Sequence, residues 1–169
     1  MASKRHFLSN SYEYFNTLIL IYYFMVGVPL LFFVLVFLRY QEAGGLQPTQ
    51  SMNLIQHVLL PAAAVICLIM PSLQYRKQLK AERPGGFKAK LKLFHQLALY
   101  RYAWLTVANF LAVVGMYFTG EQVFAGLYAV ALVVFSLHRP TANRITRDMK
   151  LNEQEKEWLK SDQDFDELP

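Results

Sequence analysis

The stretch Arg76–Lys92, RKQLKAERPGGFKAKLK, decides the fold. It holds seven Lys/Arg and one acid, Glu82, and a long apolar run lies on each side of it. A basic link between two apolar runs marks the cytoplasmic side of a membrane protein, because cytoplasmic loops carry the excess of Lys and Arg. A cluster of about four to eight such residues beside a span also attracts anionic lipid. Arg76, Lys77, Lys80, Arg83, Lys88, Lys90 and Lys92 are therefore the expected anionic-lipid contacts.

Composition agrees with a membrane protein. Of 169 residues, 54% are hydrophobic and 15% aromatic, and the mean hydropathy is +0.22. That is too apolar for an ordinary soluble domain. The net charge of +5 would suit nucleic acid, but the bases flank apolar runs. Topology accounts for them, and no nucleic-acid partner is expected. The single cysteine, Cys67, lies inside an apolar run, where it forms neither an intramolecular disulfide nor a metal site.

Outward from the basic link, hydropathy predicts four spans, at about 15–38, 54–73, 97–118 and 123–138. The first runs 24 residues without a charge, about 36 Å of helix against a hydrocarbon core of roughly 30 Å. It exceeds a signal-peptide core and no small-x-small site follows it, so a retained anchor is expected. The fourth has only 16 residues, just short of the usual range of about 17–25. The short turn Thr119–Gln122 makes the third and fourth spans antiparallel neighbours. Pro29, Pro61 and Pro71 each lack a main-chain donor and are read as helix breaks. Phe87, Leu91, Phe94 and Ala98 form a helical stripe. That piece either lies on lipid headgroups or begins the third helix early.

After Arg139-Pro140, Thr141 caps a predicted short helix through about Met149. Asn152–Glu155 has capping-box form and opens another through Lys160. Residues 161–169 read as an acidic, disordered tail. The last 17 residues hold seven acids and two bases. They could dock on a basic partner, dock on the chain's own basic stretch, or stay solvated.

The expected fold is an all-α integral membrane protein. Four transmembrane helices form a compact bundle over 1–140, with short cytoplasmic helices over 141–160. Lys4, Arg5, the seven bases of the link and six in the tail fall on one side, against Arg39 alone on the other. Both termini are thus expected inside. Tyr12, Tyr14, Tyr75, Tyr100 and Tyr102 would mark the inner interface, and Tyr40 and Tyr117 the outer.

Two tandem hairpins are one possible arrangement. Tyr12-Glu13-Tyr14 and Tyr100-Arg101-Tyr102 match at an offset of 88, and Val26-Gly27 meets Val114-Gly115 at the same offset. Such a duplication would place Glu13 and Arg101 at one depth, where an ion pair could register the hairpins. The alternative has Arg101 snorkelling to headgroups. Ala62, Ala63 and Ala64 form a small-residue packing face, and Asn109, the most central polar group, is expected to hydrogen-bond a neighbouring helix.

The residue inventory offers little chemistry. His57 falls near one face, and His95 and His138 near the other without facing each other, so a bis-histidine haem is not expected. The predicted spans carry no carboxylate for ion coupling. No Gly-rich phosphate loop, Ser/His/Asp set or pair of catalytic acids is evident. No catalytic residue, cofactor or metal is therefore assigned. The leading expectation is a non-enzymatic structural or accessory component of a membrane complex, or a homo-oligomer, in a bacterial inner (plasma) membrane. A small transporter or channel component using Pro29 and Pro61 is the alternative. A redox or lipid-modifying enzyme on His57 or His95 is the weaker third.

Overall fold

The computed structural model describes residues 11–42, 54–81 and 86–161. The expectations for Arg83 and for the tail from 162 onward lie outside these residues, as do the side chains of Tyr12, His57 and Lys80. The described residues form six helices and no strand: α1 Ser11–Glu42, α2 Leu54–Ala81, α3 Phe87–Thr119, α4 Gln122–Leu137, α5 Ala142–Met149 and α6 Glu153–Lys160.

The helix ends have local causes. Gly120 takes a left-handed φ of 66° and donates its N–H to the Met116 carbonyl, ending α3 where a side chain would be strained. Thr141 accepts from the Arg144 N–H to open α5, and Asn152 and Glu155 close a capping box on α6.

The described parts of the basic stretch, 76–81 and 87–92, are helical. α2 continues past the predicted boundary at 73 to Ala81, and α3 begins at Phe87 rather than near 97. The stripe Phe87, Leu91, Phe94 and Ala98 is buried, so burial draws this segment into α3 rather than onto headgroups. The prolines do not break their helices either, since α1 runs through Pro29 and α2 through Pro61 and Pro71.

α3 is the hub. α2, α4, α1 and α5 all pack on it, while α1 and α2 scarcely touch each other. Tyr14 meets Leu91, Met25 meets Thr106 and Phe32 meets Phe110, at separations of 77, 81 and 78. Helices α1 and α3 are therefore parallel with a register near 79, not the 88 of the sequence match. The difference is about nine residues, or roughly 14 Å of helix. Glu13 lies about level with Lys92, well below Arg101, so the expected equivalence of depth is overturned.

The helices build two storeys. In the upper one, α4 buries Phe124, Tyr128, Ala131 and Phe135 along one face against the small face of α3 at Ala108, Ala112 and Gly115. Aromatic rings join α1 to the other two helices. Tyr22, Tyr102 and Phe135 lie 5.4–5.8 Å apart pairwise, and Phe33 stacks on Tyr128 at 4.1 Å. The lower storey joins the start of α1, the end of α2, the start of α3, and α5 and α6. Leu91, Phe94, Ile145, Met149, Leu151 and Leu159 lie in its core.

Three segments are long and apolar enough to cross a membrane: Glu13–Glu42, Val58–Leu79 and Phe87–Thr119. The 16-residue α4 reaches that class only together with α5, which it meets at 76°.

A Cβ on Gly115 would overlap the Phe124 ring. Gly115→Ala should therefore cost about 1–3 kcal/mol by overpacking, read as a lower melting temperature in detergent. Adding Phe124→Leu should recover part of the loss. An unchanged melting temperature for the single variant would disprove this packing.

Candidate functional site

Pro29 cannot donate to the Met25 carbonyl one turn back, which in a membrane helix leaves an acceptor open to a neighbour or a ligand. In this protein α3 fills it. The Thr106 hydroxyl lies 3.3 Å from the Met25 carbonyl and 2.8 Å from that of Tyr102, sharing one hydrogen between them. The end of α4 is closed in the same way. The Tyr22 hydroxyl donates to the Phe135 carbonyl at 3.4 Å and that of Tyr102 to the His138 carbonyl at 3.1 Å. Arg144 Nη1 donates to the Leu137 carbonyl, and His138 Nδ1 contacts the Val134 carbonyl at 2.6 Å. Side chains from three other elements and from α4's own C-cap thus satisfy the carbonyls that a helix end leaves orphaned.

Below this lies a polar seam. Arg101 is 3% exposed, and its guanidinium stacks 3.6 Å above the Tyr75 ring centre. The Tyr75 hydroxyl donates to Asp148 Oδ2 at 2.7 Å. Asp148 is also faced by Arg144 at 3.6 Å and Arg147 at 3.4 Å. Among the described residues no carboxylate reaches Arg101 directly; Asp148 answers its charge through the tyrosine. The expected Glu13–Arg101 pair does not form, and Arg101 does not snorkel outward. The seam links α2, α3 and α5.

A second fastener holds α6. Lys90 Nζ donates to both carboxylate oxygens of Glu155, at 2.7 and 2.8 Å, while Glu155 also accepts the Asn152 N–H. Trp158 meets Phe87 edge-on at 5.7 Å. The start of the acidic segment thus docks on the chain's own basic stretch, and Lys90 is engaged inside the protein rather than directed at lipid. On the outer face of α6, a hydrogen bond from Lys156 holds the Glu153 carboxyl below its ordinary pKa.

Other sequence candidates fall elsewhere than expected. Tyr14, Tyr75 and Tyr102 are buried packing residues rather than an interfacial belt, whereas Tyr100 and Tyr117 are exposed. Asn109 is fully buried, but its amide donates to its own helix at the Leu105 carbonyl, 3.0 Å away, and its Oδ1 has no partner. Of the alanine patch only Ala64 is buried; Ala63 is half-buried and Ala62 exposed. The small-residue face that packs is Ala108, Ala112 and Gly115, whose spacing of four and three was a readable signal. Arg76, Lys77, Lys88 and Lys92 lie on the surface. His95 is buried near Tyr14. No cluster of three metal-ligating side chains forms among the described residues.

Two grooves flank α4. One, of about 490 Å³, lies between α2 and α4, with aliphatic walls that include Leu68, Ile69, Val130 and Val134 and with Arg76 and His138 beside them. The other, of about 510 Å³, lies at the elbow between α4 and α5 and presents Arg139, Arg144 and Arg147. Neither contains an arrangement for covalent or acid–base catalysis. No protein-family model, curated protein or solved structure matches the chain.

Thr106→Val should cost about 1 kcal/mol by unmaking a net hydrogen bond. In a Pro29→Ala background, where an N–H returns to Met25, the cost should shrink; equal costs in both backgrounds would disprove the compensation. Lys90→Ala should cost roughly 2 kcal/mol, the scale of a charged hydrogen bond. Hydrogen exchange should report it as faster exchange confined mainly to α6 and α5.

Proposed function

We propose that the protein is a non-enzymatic, multi-pass component of the bacterial inner membrane that serves as a structural or accessory subunit. Charge placement across the two storeys carries this reading. The upper storey spans Tyr102–Thr119 on α3, about 27 Å of helix against a hydrocarbon core of roughly 30 Å. Every base among the described residues except Arg39 lies at the level of Arg101 or below. By the positive-inside tendency, the lower storey belongs in the cytoplasm with both chain ends. Surface Arg76, Lys77, Lys88 and Lys92 then meet the anionic headgroups of the inner leaflet.

The accessory role rests on the outer face of α1. Phe24, Leu31 and Leu38 recur every seven residues with Leu20 and Leu35 among them, and all are exposed. In lipid an apolar face alone draws no partner, but the seven-residue spacing is the one at which two helices interlock by close van der Waals packing. The transporter alternative loses support at Pro29, since the Met25 carbonyl that it leaves without a helical donor is occupied by Thr106.

Reporter fusions at the two ends should both be active in the cytoplasm, and native mass spectrometry of protein pulled from membranes should show copies of the chain or further subunits. Ends on opposite faces would refute the even number of crossings. A bare monomer at every detergent concentration would refute the accessory role.

A further inference from the structure

We propose that the elbow between α4 and α5 binds the phosphate of an acidic phospholipid. The proposal rests on the reading of this chain as a membrane protein whose lower storey meets the bilayer surface.

The cleft of about 510 Å³ brings together Arg139, Arg144 and Arg147 with Thr141, Asn143 and Leu137. Arginine suits this ligand because its planar fork can donate two parallel hydrogen bonds to phosphate oxygens. The fold prepares two of the three arginines. Arg144 is tied to the Leu137 carbonyl, and Arg139 lies 5.9 Å from the Tyr23 ring centre. Asp148 is the acid facing the group, at 3.6 Å from Arg144 and 3.4 Å from Arg147, and it already accepts from Tyr75. Two of the three guanidinium groups thus share one carboxylate, and among the described residues Arg139 pairs with no acid, which leaves a cationic surplus for an incoming anion.

The chemistry of the group is phosphate; its source is read from the surface beside it. Leu137, in the cleft wall, is 70% exposed, and Val133 and Val130 continue an exposed apolar strip up α4. A ligand filling both parts has an anionic head and an acyl chain. The 76° turn puts the head site where α4 would leave the hydrocarbon. This site is separate from the lysine-rich surface of α2 and α3, where attraction is diffuse and requires no fork geometry.

The test uses the purified full chain in neutral detergent, titrated with phosphatidylglycerol or phosphatidylcholine and read by native mass spectrometry. One phosphatidylglycerol per chain should be retained in preference to phosphatidylcholine. Arg139→Lys with Arg147→Lys keeps the charge but removes the fork, and should weaken retention at least fivefold. Lys160→Gln, on the exposed surface of α6, should change it less than twofold. Arg147 has a 76% exposed side chain, so Arg147→Lys alone serves as a variant that spares packing and should weaken retention at least twofold. Arg→Lys variants that bind like the parent, or equal losses in the arginine and lysine variants, would overturn the proposal. So would displacement by millimolar inorganic phosphate as effective as by lipid, which would identify a soluble anion as the ligand. Carbonate extraction of the parent protein tests the membrane reading separately: release from membranes would refute that reading whatever the phosphate result.

Discussion

A carbonyl inside an apolar interior needs a donor, and much of this structure follows from that demand. Pro29 removes one donor from α1, and Thr106 on α3 supplies another. At the end of the short α4, the Tyr22 and Tyr102 hydroxyls, an exposed hydrogen bond from Arg144, and His138 close its last turn. Water can do this at an exposed helix end; where the carbonyl is covered by apolar side chains, protein groups do it instead. These bonds connect α1, α3, α4 and α5, so satisfying the backbone also assembles the helices.

The central position of α3 follows from its two faces. Alanines and Gly115 admit the rings of α4 on one side, and Thr106 and Tyr102 engage α1. Its first turns continue into the lower storey, where Leu91 and Phe94 are covered and Lys90 holds Glu155. One continuous helix thus joins an apolar storey to a mixed one. Arg101 and Tyr75 mark the boundary, with a buried cation stacked on an aromatic ring and a carboxylate one hydrogen bond away.

The helices and their caps were legible in the chain because hydropathy, Gly120, Thr141 and the Asn152 capping box are local signals. The extent of α2 was not, and that of α3 only in part. Charged residues from Arg76 to Lys92 look like a loop, although the stripe from Phe87 to Ala98 already allowed an early start to α3. That stripe is buried, with Tyr14 of α1 and Trp158 of α6 among its neighbours, whereas the continuation of α2 to Ala81 had no such signal. The Tyr-x-Tyr match at an offset of 88 misled because register is set by which side chains interlock rather than by resemblance along one strand of text. The elbow arginines were visible as Arg139, Arg144 and Arg147, but only the 76° turn brings them around one cleft.

The pairing of Lys90 with Glu155 joins residues 65 positions apart. A ribosome adding about 5–20 residues per second leaves the base of α3 waiting several seconds for its cover. Through that interval Phe87 stands beside a row of lysines without Trp158, which meets its ring in the finished fold. That is the kind of surface that a lipid interface or a chaperone shelters. The last helices made are the ones that release it.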